Sequence, residues 1–398
     1  MEVSAVLMRG GTSRGLFFHE SDLPADQNLR DRFILAAYGS PDPDRRQVDG
    51  LGGATSATSK VAIIADGREH GVDVTYEFGQ VSIDRPLIDR RGNCGNLSAA
   101  VGPYAVDQGL VTATDPVTKV RFLNLNTGKT ITAHVPTTNG RFDPTGGYAI
   151  PGVAGTGSCV QLDYLDPSGA VTGSLLPTGN VVDVVEVPDV GPVEMSIVDA
   201  ANPLLFVRWK SVGLTGQELP DLVDNDPDLL ARLERIRAMA GVRIGLAPTP
   251  EDVTASTPSI PKLALVGPPR DYPLGSGGVV RAAEHTLRAS MMSMGRLHRA
   301  YALTGAICTS VAAAVPGTVA ALAAAPANDD NADTKDDPEL RIGHPSGVLP
   351  MTAQVQRNGN GWTVPVVSGY RTARRLMTGA VIVPDARLGA HTMKEDKA

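Results

Sequence analysis

One pattern constrains this chain more than any other, and it occurs twice: a run of small apolar residues beside a cysteine, set among short β-type segments. In the first copy, Gly92-Asn93-Cys94-Gly95-Asn96 leads into 97–108, where Leu97, Ala99, Ala100, Val101, Tyr104 and Val106 leave no polar face. In the second, Thr304-Gly305-Ala306-Ile307-Cys308-Thr309-Ser310 leads into 311–315, small and apolar throughout. A helix that is apolar all round must be covered all round. The chain is therefore expected to fold as an α/β (α+β) protein in two similar halves, 1–178 and 179–398, each with strands enclosing a cysteine-headed helix.

The strands are legible from composition and period. Glycine (43) and proline (30) are abundant while aromatic residues make up 4% of the 398, which favours short elements and tight turns. Extended segments are expected at 3–8, 16–18, 61–65, 75–83, 119–124, 130–135, 160–164, 181–187, 193–198 and 262–266. Apolar residues at helical spacing place surface helices at 26–38 and 226–239, and further helices at 282–288 and 290–302. The stretch 323–340, rich in aspartate, reads as an acidic flexible loop.

Charge narrows the function. With 36 Lys+Arg against 43 Asp+Glu, the net charge is −7, so neither nucleic acid nor an anionic membrane is the expected partner. No apolar run approaches the roughly 20 residues of a membrane helix, and the N-terminus lacks the pattern of a secretory signal. The three cysteines are odd in number and widely spaced, which argues against a disulfide framework or zinc site and for a reducing, cytoplasmic setting. The expected partner is a small molecule, and a homodimer is compatible with the chain.

Five places have the residues for chemistry. Cys94 stands at the start of a buried helix, where free N–H groups favour an anion and a thiol can exchange protons. Lys60 follows Thr55, Ser56, Thr58 and Ser59 and heads the apolar run Val61-Ala62-Ile63-Ile64, so its ammonium is expected to be partly desolvated and its pKa lowered toward that of a base. The loop Arg9-Gly10-Gly11-Thr12-Ser13-Arg14-Gly15 offers amides and hydroxyls to a carboxylate. His298, between Arg296 and Arg299, is placed to meet an anion. Cys308 has apolar neighbours and is a second acid/base candidate, while Cys159 reads as structural. The loop before Lys60 lacks the spacing of a P-loop, and Gly155-Thr156-Gly157 and Gly275-Ser276-Gly277 lack the third glycine of a dinucleotide fingerprint. No cofactor is indicated, and the histidines form no metal-binding spacing.

Several motifs together carry a resemblance. Met8-Arg9-Gly10-Gly11-Thr12-Ser13-Arg14-Gly15, Asp49-Gly50-Leu51-Gly52-Gly53 with Ser59-Lys60, Gly92-Asn93-Cys94-Gly95-Asn96, Leu175-Leu176-Pro177-Thr178-Gly179, Ser293-Met294-Gly295-Arg296 with His298, Thr304-Gly305-Ala306, Gly343-His344-Pro345-Ser346-Gly347 and Arg374-Arg375-Leu376-Met377 resemble, in order, the PrpF family of allylic isomerases. Arg14 departs from the lysine often found there. The resemblance implies a diaminopimelate epimerase-like fold, two barrel-like halves each wrapping a central helix with the active site in the cleft between. It also implies cofactor-free proton transfer in unsaturated di- or tricarboxylic acids such as 2-methylaconitate, methylitaconate or 4-oxalomesaconate. Carried onto this chain, it makes Lys60 and Cys94 the proton-transfer pair and puts Thr12, Ser13, Gly95, Asn96, Met294, His298, Thr309 and Ser310 on the substrate. Two other readings are a racemase that uses Cys94 and Cys308 on opposite faces of an amino acid, and a non-catalytic accessory of an aconitase-like enzyme.

Overall fold

The structure is a computed structural model that describes residues 1–324, 339–359 and 361–388. The acidic stretch expected at 323–340 falls mostly outside these residues.

In the first part of the chain, the strands are β1 (Glu2–Gly10), β2 (Ser13–His19), β3 (Lys60–Asp66), β4 (Val74–Val81), β5 (Ile88–Asp89), β6 (Val117–Asn124), β7 (Lys129–Thr138), β8 (Arg141–Phe142) and β9 (Val160–Leu165). The later strands are β10 (Asp183–Val187), β11 (Gly191–Ala200), β12 (Asn202–Arg208), β13 (Lys262–Gly267), β14 (Tyr272–Pro273), β15 (Val279–Val280), β16 (Leu287–Ser293), β17 (Arg296–Leu297), β18 (Leu340–His344), β19 (Gly347–Ala353), β20 (Gln356–Asn358), β21 (Gly361–Thr363), β22 (Val366–Arg371) and β23 (Ala373–Ile382).

Pairing runs β1–β2–β3–β4–β6–β7–β9–β22, and β22 turns at Thr372 into β23, which lies antiparallel along β1. The circuit closes on itself. Its inward residues alternate with outward ones, as in β6, where Thr118, Val120, Phe122 and Asn124 are buried and Val117, Lys119 and Arg121 exposed. Inside sit α2 (Gly95–Ser98) and α3 (Val101–Asp107), buried on every side except at Asp107. Gly102 is required there, since a Cβ on it would come within 2.6 Å of Val135 and 2.9 Å of Ala133. A second array, β10–β11–β12–β13–β16–β18–β19, encloses α7 (Leu303–Ala314) and α8 (Val319–Ala323), and β19 also pairs with β22. A cut between 178 and 179 therefore separates strands that pair: β9 with β22, and β1 with β23.

Outside the first array, α1 (Gln27–Tyr38) lays Phe33 and Ile34 on a cluster with Phe18 and Val61; Asp26 caps it through Leu29 N–H at 2.8 Å. Of the helices inserted between β12 and β13, α4 (Pro220–Asp224), α5 (Pro227–Arg243) and α6 (Pro250–Ser256), the longest buries Leu229, Leu233 and Ile236 against Leu205, Val207, Leu263 and Leu265. No helix among the described residues is long and apolar enough to cross a membrane.

Three expectations are corrected. The segments at 282–288 and 290–302 are not helices: after a single 3-10 turn the chain forms β16, whose seven residues are all buried, with β13 and β18 on either side. A strand buried on both faces loses its alternation, so periodicity alone cannot separate it from a buried helix. The helix expected at 97–108 is two helices broken at Ala99–Ala100, because Pro103 has no N–H to give and its ring would strike the carbonyl four residues back, that of Ala99. Finally, Cys308 does not head its helix. The helix α7 begins at Leu303, and Cys308 lies in its middle.

Candidate active site

The first array ends, on one side, in Cys94. It is the N-cap of α2, with Sγ accepting Leu97 N–H at 3.4 Å, and Ser98 Oγ donates to Cys94 O at 3.0 Å and Asn93 Oδ1 at 3.3 Å. The loop is pinned from the other array by Asn202, at the start of β12. Asn202 Oδ1 accepts Asn93 N–H at 2.9 Å, and its Nδ2 donates to Asn93 O at 2.7 Å and to Thr304 Oγ1 at 3.1 Å. Thr304 lies in the first turn of α7, so the starts of the two central helices meet here. A Cβ on Gly95 would come within 2.9 Å of Thr304 N, which explains the glycine after Cys94.

Lys60 is the first residue of β3 and 8% exposed; Cys94 is 7% exposed. The Lys60 ammonium donates to Gln80 Oε1 at 2.6 Å, and Gln80 is held in turn by Nε2 donating to Ser59 O at 2.9 Å. Burial lowers the Lys60 pKa from its ordinary value, and the neighbouring Cys94 partly opposes that shift. Both side chains line one pocket, together with Ser13, Gln80, Asn93 and Asn96 from the first array and Asn202, Lys262, Ser293, His298 and Thr304 from the rest of the chain.

All but one of the remaining polar groups described next are held by hydrogen bonds. Ser13 Oγ is buried without a protein partner. Thr12 Oγ1 accepts from Asn96 Nδ2 at 3.0 Å, and Asn96 Oδ1 accepts from the buried Arg371 Nε at 3.0 Å. The His298 Nδ1 accepts Ala300 N–H at 3.0 Å, which places the proton of the neutral ring on Nε2. Burial, then the charges of Lys60 and Lys262, hold His298 down to about 4. Burial, then Lys60, brings Lys262 down to about 8, and its Nζ donates to Ser259 O at 2.7 Å. Met294, at φ 54° beside Gly295 at φ 73°, forms the two-residue turn between β16 and β17. It lines a wider groove that shares Ser56, Gln80, Ser293 and His298 with the pocket and also holds Thr12.

The structure thus brings Lys60, Cys94, Ser13, Asn96 and His298 together and sets Thr12 and Met294 at the mouth. It does not bring in Cys308, Thr309 or Ser310. Those side chains are used inside the second array: Cys308 Sγ donates to Val198 O at 3.2 Å, Thr309 Oγ1 to Gly305 O at 2.7 Å, and Ser310 Oγ to Ile307 O at 2.8 Å. Burial pushes the Cys308 thiol up, away from thiolate formation. Asn202, Gln80 and Lys262 escaped the sequence reading. Asn202, a lone amide between apolar strands, and Lys262, a lysine heading Leu263-Ala264-Leu265-Val266 as Lys60 heads Val61-Ala62-Ile63-Ile64, were the available signals.

A sequence profile described as PrpF protein matches residues 1–384. The chain belongs to the PrpF family. It is 44% identical over 389 residues, 98% of this chain and 99% of the relative, to 3-methylitaconate isomerase of Eubacterium barkeri. With 2-methyl-aconitate isomerase of Shewanella oneidensis it shares 43% identity over 396 residues, 96% of this chain and 97% of the relative. A crystal structure of methylitaconate-delta-isomerase superposes with a TM-score of 0.75 at 43% identity, covering 98% of this chain and 97% of that one. This PrpF-family protein is an isomerase. A hydroxyproline epimerase from Agrobacterium vitis, at 13% identity, 98% and 97% coverage and TM-score 0.53, shares the fold alone, which is the proline racemase and diaminopimelate epimerase-like architecture.

Proposed function

We propose that this isomerase shifts a proton along the allylic system of an unsaturated di- or tricarboxylic acid, such as 2-methylaconitate, aconitate, methylitaconate or 4-oxalomesaconate, by double-bond migration or cis–trans isomerisation and without a cofactor. The observation that carries this is the shared enclosure of one amine and one thiol, 34 positions apart in sequence, in a pocket with no carboxylate side chain among its described lining residues.

The chemistry follows from what each group offers. A C–H next to a C=C that is conjugated with a carboxylate is weakly acidic, and its removal spreads negative charge into a dienolate. The neutral amine of Lys60, kept within reach of neutrality by burial, takes the proton and becomes an ammonium. The thiol of Cys94 gives a proton to the other end of the allyl unit and becomes a thiolate. Transfer from the Lys60 ammonium to the Cys94 thiolate restores both groups, and the reverse direction uses the same pair with roles exchanged. Ser13 Oγ, the Asn96 amide and His298 Nε2–H supply neutral donors for carboxylate and dienolate oxygens. Asn202 and Gln80 hold Cys94 and Lys60 in place.

The test is isotopic. In D2O the purified enzyme should place deuterium at an allylic carbon of an accepted acid, seen by NMR, and Lys60→Ala should stop it. Full exchange by Lys60→Ala would show that the base is another group.

The racemase alternative needs Cys308 opposite Cys94. With Cys308 Sγ bonded to Val198 O inside the second array, the observation that motivated that reading is gone.

A further inference from the structure

We propose that Lys262 reads the charge of the substrate by gripping one of its carboxylates within the pocket it shares with Lys60. The inference deepens the reading above and rests on it for the identity of the substrate. Lys262 opens β13, from the later part of the chain, while Lys60 opens β3. Both line the same cavity. Their surroundings differ in a way that assigns different work. Lys60 is buried against Gln80 and close to the Phe78 ring, 5.2 Å from its centroid, and is the amine that must be free of its proton to act as base. Among the described residues Lys262 makes one hydrogen bond, to Ser259 O, which leaves two of the three ammonium N–H bonds without an acceptor there.

Nearby charges leave Lys262 available. Asp89 is a buried carboxylate whose charge reaches Lys262, and its oxygens are taken by Arg91 N–H at 3.0 Å, Ser259 N–H at 3.1 Å and Ser259 Oγ at 2.6 Å. Arg237 is held by Glu234 and by the carbonyls of Thr257 and Ile260. Whenever Lys60 is deprotonated to act as base, and with His298 uncharged above a pH of about 4, Lys262 is the lining side chain among the described residues that still carries a positive charge below a pH of about 8. Ser13, Asn96 and His298 meet carboxylates with neutral donors; Lys262 meets them with charge. An acid with carboxylates at both ends is thereby held across the amine and thiol. A compact ammonium tolerates several carboxylate orientations, which suits a point-charge grip.

Binding can be read apart from turnover with tricarballylate, the saturated propane-1,2,3-tricarboxylate, by titration calorimetry. Lys262→Met should raise its Kd about 10- to 100-fold, whereas Lys262→Arg, which keeps the charge, should stay within a few-fold. With an unsaturated acid that is turned over, Lys262→Met should raise KM by a similar factor and leave kcat within about threefold, because the grip is the same in ground and transition states. Lys262→Gln serves the same purpose if the Met variant does not fold. An unchanged tricarballylate Kd in the charge-removing variant overturns the proposal, as does a fall in kcat at constant KM. Tight tricarballylate binding lost in Lys262→Met, with no isomerisation of any unsaturated acid by the wild type, would uphold Lys262 and overturn the isomerase substrate assigned above.

Discussion

Cys94 and Cys308 look alike in sequence and differ in everything that matters chemically. Each adjoins a run of small apolar residues and lies in a helix-bearing segment wrapped by strands. Cys94 is the cap, at the point where its helix opens onto the cleft, whereas Cys308 is one and a half turns inside α7, with its sulfur tied to the carbonyl of Val198. The residue of α7 that faces Cys94 across the cleft is Thr304, joined to the Cys94 loop through Asn202. A repeated architecture therefore need not repeat its chemistry: two helix starts meet, and one brings a thiol while the other brings a hydroxyl.

The comparison can be broken most directly through the cleft residues. Lys60→Ala should lower the isomerisation rate by roughly 100- to 10,000-fold, the span of a general base, measured by ultraviolet absorbance of the conjugated acid. Cys94→Ser should cost somewhat less, roughly 100-fold or more, since a hydroxyl of the same shape is a poorer proton donor and acceptor. Cys308→Ser should leave kcat within about twofold and show itself only as a modest loss of melting temperature. If Cys308→Ser lost as much activity as Cys94→Ser, the asymmetry between the two halves would be wrong.

Asn202→Ala sharpens the picture from the structural side. It strips partners from the N–H and C=O of Asn93, both buried, and should cost about 2–3 kcal/mol of stability, read by chemical denaturation, with kcat reduced as the Cys94 loop loosens. The smallest effect concerns His298. Its pKa of about 4 lies below that of an unfolded histidine, so the folded state binds fewer protons and stability falls as pH drops from about 6.5 toward 4. His298→Gln should lose less stability over that window in parallel melts, and a slope equal to that of the wild type would assign the loss to other groups.

What sequence could and could not reveal follows from the range of the forces involved. Lys60 and Cys94 were legible because the signal is local: a polar, titratable residue set directly against an apolar run. The strands of the first array were legible because one face is wet and the other dry, as in β6 and β7. Strand β16 was not, since burial on both sides removes the alternation that marks a strand. Asn202 acts on Asn93 across 109 residues, and nothing near either one declares the pairing. Lys262 carried the same local mark as Lys60 and was passed over, because a lysine heading a strand gains meaning only once a second one is seen to share its cavity.

The path of β22 and β23 has a bearing on how the protein is made. The first barrel is completed by residues 366–382, which follow its other strands by about 200 residues, and until they are made β1 and β9 each present an open backbone edge. A nascent chain that stops short of residue 366 thus holds Lys60 and Cys94 but lacks the closing staves around them. Truncation after Pro365 should therefore give an aggregation-prone product without activity, although the deletion removes neither member of the proposed proton-transfer pair.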